Sequence, residues 1–410
     1  MLVWIVALSS ILAMLVRPRR IAEVWWACAG ALLLIATDLI TLRQAAHAIR
    51  EGLDVYLFLA GMMILAELAR EEGVFDWAAR IAADHARGSS RRLFFLIYCV
   101  GVVVTALLSN DATAVVLTPA VLAVARRAQV RPRPYLLACA FIANAASFVF
   151  PISNPANLVV FGRRIPHLTG WLGTFLLPSL VSIAVTFACL YWCERKDLQR
   201  RIEAQPQPAQ LTTEGKLALG GLLFAAAALI GASALGLPLG IPTCCASVAA
   251  LMMVAPRNRR IVGRVATGVS WSVLPLVAGL FVIVEALQGA GLFRAGLRGL
   301  EALAKMPPWE AKNLSAFTIA LAANAMNNLP VGLIGGATLR QATHAPILAH
   351  AVLIGVDLGP NLSVTGSLAT ILWLIALRRE NVEISAWEFM KVGLLAMPLA
   401  LLSSLLVLRN

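Results

Sequence analysis

The sequence predicts an all-α polytopic membrane protein built of two inverted repeats, each with about five spans plus a re-entrant hairpin and a broken helix. Three observations carry this expectation. The 410 residues are 60% hydrophobic and 13% charged, which leaves too little polar surface to cover a water-exposed globule. Apolar runs of roughly 20 residues, the length of helix that crosses about 30 Å of hydrocarbon, recur from end to end. The chain also matches itself at one constant offset: Gly61, Glu67, Gly73, Phe75 and Asn110 recur as Gly279, Glu285, Gly291, Phe293 and Asn328. A carboxylate and an amide at a helix break therefore repeat in register, as in duplicated halves. Strands of a membrane barrel would alternate in polarity over about ten residues, a pattern the chain lacks.

In chain order, the first run is Met1 to Val16. It has no basic residue before it and Arg17, Arg19 and Arg20 after it, the reverse of a cleavable leader, so it is expected to remain as a span. Ala22 to Leu42 and Gly52 to Ala69 follow. Leu93 to Ala125 is interrupted at its middle by Ser109-Asn110-Asp111-Ala112-Thr113. About 16 residues remain on either side, short of the usual 20 or so, which favours a hairpin entering and leaving on one face over two full spans. Tyr135 to Phe161 is broken by Pro151-Ile152-Ser153-Asn154-Pro155-Ala156-Asn157, because each proline removes a helix hydrogen bond. Gly170 to Cys193 completes the first repeat, residues 1–193.

Residues 194–216, containing Gln205-Pro206-Gln207-Pro208, are the one long hydrophilic stretch and read as a cytoplasmic linker. The second repeat, 217–410, follows the same order: Leu217 to Leu235, Ile241 to Ala255, Gly268 to Leu287, Leu314 to Leu339, Ile347 to Leu377, and Ala386 to Leu408. Asn324, Asn327, Asn328 and Pro330 interrupt the fourth run, and Asn361, Ser363, Thr365, Gly366, Ser367 and Thr370 the fifth.

With the hairpins counted as returns, each half crosses five times, and an odd number of crossings turns the second half over. Placing both termini outside the cytoplasm puts roughly two-thirds of the 34 lysines and arginines on the cytoplasmic face, as expected for the inner membrane of a cell. The net charge of +13 is thus loop charge that sets orientation, and no nucleic-acid partner is expected.

The seven cysteines (Cys28, Cys99, Cys139, Cys189, Cys193, Cys244 and Cys245) all fall in apolar runs, forming neither a disulfide framework nor a CxxC site. Cys189 and Cys193, one helical turn apart, and the adjacent Cys244 and Cys245 are the pairs able to meet a soft trivalent metalloid. Release of a cargo argues against so tight a capture. His47, His85, His167 and His344 lie in expected loops and His350 at a helix start, none with metal-ligand spacing. With no phosphate-binding glycine loop, no GxSxG and no HExxH, the chain reads as a carrier rather than an enzyme, and no cofactor or metal site is expected.

The polar interruptions are the candidate site. A carboxylate near the bilayer centre costs roughly 2.5 to 3.5 kcal/mol, so Asp111 must face protein, water or a cation. It reads as a proton carrier at the hairpin tip and also as an N-cap for the returning arm. Asp357, in Gly355-Val356-Asp357-Leu358-Gly359-Pro360, is the second proton-coupling candidate, with a structural pairing to backbone amides as its other reading. Asn110, Thr113, Ser153, Asn154, Asn157, Asn327, Asn328, Asn361, Ser363 and Thr365 are the substrate-binding candidates, because unwound backbone beside amides and hydroxyls can hold a polar cargo. Glu67 and Glu285, at matching places, read as snorkelling carboxylates or as proton relays.

Met326-Asn327-Asn328-Leu329-Pro330, the Asp357 motif, Gly366-Ser367-Leu368-Ala369-Thr370-Ile371-Leu372-Trp373, Asn110-Asp111 with Leu117-Thr118-Pro119, and Glu71-Glu72-Gly73-Val74-Phe75-Asp76-Trp77 together resemble the arsenical-pump membrane protein family of the wider ion-transporter superfamily. The resemblance covers essentially the whole chain. It implies efflux of arsenite or antimonite driven by proton entry, with a cytoplasmic ATPase subunit as an optional partner. The family tends to carry an aspartate where this chain has Asn144, and the first tip is shifted toward the Ser-Asn-Thr pattern of dicarboxylate symporters. A sodium- or proton-coupled carrier of di- or tricarboxylates is therefore the alternative. Arsenite near neutral pH is an uncharged trihydroxide, suited to amides and hydroxyls rather than cationic clamps.

Overall fold

The computed structural model describes the chain apart from residues 17, 19, 20, 163, 164, 200, 201, 203–209, 342–345 and 410. Arg17, Arg19, Arg20, Arg200, Arg201 and His344, with residues 205–208 of the expected linker, lie outside the described residues. Among the described residues the regular elements are helical and there is no strand.

The first half holds α1 (Leu2–Val16), α2 (Glu23–Ala36), α3 (Leu42–Glu51), α4 (Leu53–Glu71), α5 (Val74–His85), α6 (Ser90–Leu107), α7 (Asn110–Ala112), a π turn over Thr113–Leu117, α8 (Thr118–Arg127), α9 (Arg133–Ala145), α10 (Pro155–Phe161) and α11 (Leu168–Glu194). The second holds α12 (Thr213–Ala234), α13 (Gly240–Val254), α14 (Ile261–Gly268), α15 (Val273–Gly289), α16 (Leu292–Ala304), α17 (Pro308–Met326), α18 (Asn328–Gln341), α19 (Pro346–Leu358), α20 (Leu368–Arg379) and α21 (Ala386–Val407).

Local chemistry accounts for the helix ends. Ser109 accepts from the Ala112 amide and Asn154 from the Ala156 amide, while Ser367 and Thr370 form a capping box. The helices that restart after each interruption thus begin on a side-chain cap. Gly73 and Gly291 occupy matching turns with φ of 71° and 90°, a backbone region that disfavours any side chain.

Several expectations need correction. The segments holding α3, α5, α14 and α16 were expected as loops, but they are short helices. Their mixed polarity suits one apolar and one wet face, as at a membrane surface, and gives no apolar run to read. α2 stops at Ala36 rather than Leu42, because Leu42 opens α3 behind a Thr41 and Gln44 capping box. The arms of the second hairpin run from Pro308 to Gln341, beyond the expected Leu314 to Leu339. α12 begins at Thr213, inside the stretch read as linker, capped by Thr212.

Ser90–Leu107, Leu168–Glu194, Thr213–Ala234, Ile261–Gly289 and Ala386–Val407 are long and apolar enough to cross a bilayer, and α3 with α4 forms a sixth candidate bent by 49°. Leu2–Met14, Glu23–Ala36, Gly240–Val254 and Ile347–Asn361 are apolar but shorter.

The helices sort into two bodies. In one, α4 lies on α13, α13 on α12, and α2 on both α1 and α15. In the other, α11 runs along α21, α6 lies on α9, α17 on α19 and α10 on α18. Polar ties join the two halves of the chain within the first body: Asp54 Oδ1 accepts from the Gly240 amide at 2.8 Å, and Arg264 pairs with Glu71 at 3.0 Å. The second body carries the hairpins and the broken runs. α5 lies against its hairpin arms α6 and α8.

Candidate functional site

Both hairpin tips and both breaks meet at one gap, bordered by Leu59, Asn110, Asp111, Asn154, Pro155, Val273, Asn328, Leu329, Ser367, Leu368 and Ala369. Its free volume of about 10 Å³ is room for roughly one water. Asn110, Pro155, Asn328 and Leu368 are the first residues of α7, α10, α18 and α20, so the N-terminal ends of four helices converge here. The polar side chains on the gap are three amides, one hydroxyl and one carboxylate. No lysine, arginine or histidine borders it.

The gap continues into a vestibule of about 170 Å³, which shares Leu59, Asp111, Pro155, Val273 and Leu368 with it. The vestibule runs past Met62, Met63 and Ala66 to Glu67 and Arg379. Glu67 is 7% exposed and receives Arg70, whose Nε donates at 2.9 Å. Thus Glu67 neither snorkels freely nor stands alone. Its counterpart Glu285 borders neither the gap nor the vestibule. No cysteine borders either space, which removes the basis for a thiolate-bound cargo at this site.

The residues expected to bind cargo divide into three groups. Asn110, Asn154 and Asn328 border the gap, with Asp111 on the gap and the vestibule. Asn327 lines instead an adjoining, largely apolar space with Ile11, Met14 and Leu276, which shares Leu329 and Leu368 with the gap. It takes φ 74° and ψ 149°, a region nearly reserved for glycine and a mark of strain at the tip.

The second group is buried and committed to the scaffold. Thr113 bonds Thr105 at 2.8 Å across the two hairpin arms, and Ser153 donates to the Ala106 carbonyl at 2.9 Å, tying the first break to the hairpin. Asn157 donates to the carbonyls of Ser147, Phe150 and Pro151. Asn361 receives Asn144 at 3.0 Å and donates to the Phe141 carbonyl at 3.2 Å. These four were expected on the cavity. They are fully or almost fully enclosed instead, because loops buried in protein need side chains to satisfy their free carbonyls.

In the third group, Ser363 donates to Asn324 Oδ1 at 2.6 Å and Thr365 to the Asn324 carbonyl at 3.1 Å, fastening the second break to α17. Asp357 is fully buried one layer behind the gap. Its Oδ1 accepts from Asn154 Nδ2 at 2.5 Å, a bond between the two halves. Ser367, named in the sequence only as part of a break, is the gap residue that sequence reasoning missed. Its position before an apolar helix, with Thr370 three residues on, was the available sign.

The profile of the CitMHS family, described as citrate transporter, matches residues 10–356. The chain is 28% identical over 403 residues to an arsenical pump membrane protein of Escherichia coli strain K12, covering 94% of this chain and 93% of that protein. It is also 28% identical over 394 residues to an arsenical pump membrane protein of Yersinia enterocolitica, covering 92% and 91%. Among solved structures, the YdaH transporter of Alcanivorax borkumensis aligns with a TM-score of 0.56 at 15% identity, over 89% of this chain and 86% of that one. At that identity the likeness concerns the fold alone.

Proposed function

This chain belongs to the CitMHS family of membrane transporters, and from that premise we propose that it exports the uncharged trihydroxides of arsenic(III) or antimony(III) in exchange for protons. The observation that carries the reading is the lining of the gap. Three amides and a serine hydroxyl offer hydrogen bonds to a neutral polyol, and the one charged group present is a carboxylate. A citrate trianion beside Asp111 would meet like charge with no cationic side chain to offset it. The named arsenical pumps that match nearly the whole chain support the same cargo.

In this reading the two halves, 1–193 and 217–410, are inverted repeats on either side of the linker, with both termini outside the cytoplasm of an inner membrane. Glu67 and Arg379, which line the vestibule, then face the cytoplasm, so the vestibule lies on the inward side of the gap. Asp111 carries a proton at the gap and Asp357 one behind it. Asn154 joins the second carboxyl to the cavity wall.

A second reading, a sodium-coupled carrier of organic anions, is favoured by the four helix N-termini that converge on the gap, since their amides attract negative charge. Proteoliposomes separate the two. Arsenite flux driven by an imposed pH gradient and unaffected by citrate supports the first; sodium-dependent citrate flux without arsenite flux overturns it.

A further inference from the structure

A space of about 500 Å³, against about 170 Å³ for the vestibule, lies between α5, α6 and α12. It shares no residue with the gap or the vestibule. α12 belongs to the first body and α6 to the second, so the space is a seam between them. Its wall is apolar apart from Cys99 and His85, and His85 is the one side chain on it that can carry positive charge. Val103 of α6 and Leu223 of α12 line it while 55% and 56% exposed. In two helices long and apolar enough to cross a bilayer, that exposure opens the seam toward hydrocarbon.

Local contacts orient the seam. A Cβ at Gly215, near the start of α12, would stand 2.9 Å from the Glu72 carbonyl just ahead of α5. The Gly88 carbonyl, between α5 and α6, accepts from the Ile202 amide at 3.1 Å. α5 therefore bridges the starting ends of α6 and α12, and the seam runs from there along α6 to Leu107 and Leu108. From Leu96 to Leu107 the helix rises about 16 Å, roughly one leaflet of a hydrocarbon core about 30 Å thick. The deep end thus stops immediately before Ser109 and Asn110 of the first hairpin tip.

An apolar space of this size does not hold water, and left empty it forfeits the contacts of its whole lining. A flexible hydrocarbon chain fills it. The shallow end is basic. Arg92 stands one helical turn before Leu96, and Lys216 almost one turn before Leu219, the first wall residues of α6 and α12. With Arg80, Arg87 and Arg91 they outnumber the acids Asp84 and Glu214. Glu71 and Glu72 are already engaged by Arg70, Arg264 and Asn258, whereas Arg87, Arg92 and Lys216 enter no ion pair among the described residues. Unpaired cations at the membrane face of an apolar slot suit an anionic headgroup.

We propose that an anionic phospholipid binds in this seam, one acyl chain filling the space between α5, α6 and α12 and its phosphate meeting His85, Arg92 and Lys216. The chain touches both bodies and ends against Leu107 and Leu108, so the lipid bears on the first hairpin tip. No cargo passes through this site.

The purified full chain, stripped of lipid in detergent, is titrated separately with dioleoyl phosphatidylglycerol and dioleoyl phosphatidylcholine. Native mass spectrometry counts the lipid retained, and the thermal midpoint is recorded alongside. Phosphatidylglycerol should be retained at about one molecule per chain and raise the midpoint by about 3 °C or more, with phosphatidylcholine at least about tenfold weaker. Leu223→Trp, which fills the seam from an exposed position, should abolish retention; Val103→Trp serves where it fails to fold. Arg92→Gln combined with Lys216→Gln should keep the fold and remove the preference between headgroups. Equal binding of the two lipids by the wild type, or phosphatidylglycerol binding left unchanged by either the tryptophan or the glutamine variants, overturns the proposal. If arsenite proves not to be the cargo, the lipid count is unaffected, so the two failures are distinguishable.

Discussion

Asp111→Asn isolates the coupling charge from everything else at the tip. The backbone amide of Asp111 donates to Asn110 Oδ1 at 3.0 Å, while the carboxylate has no hydrogen bond or ion pair among the described residues. The substitution preserves shape, so folding stability should change by no more than about 0.5 kcal/mol. Transport should change far more. Moving one elementary charge across a membrane potential supplies about 2.3 kcal/mol per 100 mV. Since about 1.4 kcal/mol is a tenfold change in an equilibrium, losing one coupled proton lowers the attainable cargo gradient about 50-fold per 100 mV. The assay is arsenite accumulation in proteoliposomes under a fixed potassium diffusion potential, with thermal unfolding of the same preparations alongside. A variant that folds like the wild type and builds a gradient at least 50-fold smaller agrees with the account. One that accumulates arsenite as well as the wild type refutes Asp111 as a coupling residue.

Further substitutions test the frame around the gap and the part played by the thiols. A Cβ at Gly61 would stand 2.8 Å from the Thr243 backbone, and one at Gly279 would stand 2.9 Å from that of Ala27. Gly61→Val and Gly279→Val should therefore each destabilise the first body by about 1 to 3 kcal/mol, read as a lowered thermal midpoint. Asp54→Ala removes the cap on α13 and should lose about 1 kcal/mol, whereas Asp54→Asn, which keeps the acceptor, should lose less. Replacing all seven cysteines by serine or alanine should leave arsenite flux within about threefold of the wild type, because none borders the gap or the vestibule. A larger loss of flux with the fold retained would return thiol capture to consideration.

The positions of the interruptions were legible in the chain because polar residues in mid-membrane must have a reason to be there. Ser109-Asn110, Asn327-Asn328 and the two proline-bearing breaks all appear where polarity interrupts an apolar run. Side-chain direction was not legible. Thr113, Ser153, Asn157 and Asn361 have the chemistry of ligand groups, but folding uses them to satisfy loop carbonyls, and nothing in a linear pattern separates the two uses. The short helices α3, α5, α14 and α16 escaped for a different reason. Their apolar faces are narrow, and period-averaged hydropathy reads them as loops. Glu67 and Glu285 occupy equivalent places in the repeat yet meet different surroundings, since the vestibule reaches one and not the other.

The most direct measurement of the central claim, that both halves enclose one shared cavity, is a cross-link between the two hairpin tips. Asn110→Cys and Asn328→Cys are introduced together into the cysteine-free protein and treated in membranes with a short bifunctional thiol reagent. The account predicts an efficient intramolecular link, reversed on cleavage of the linker, since both side chains border a gap of about 10 Å³. Two cysteines that label singly but never join would contradict it.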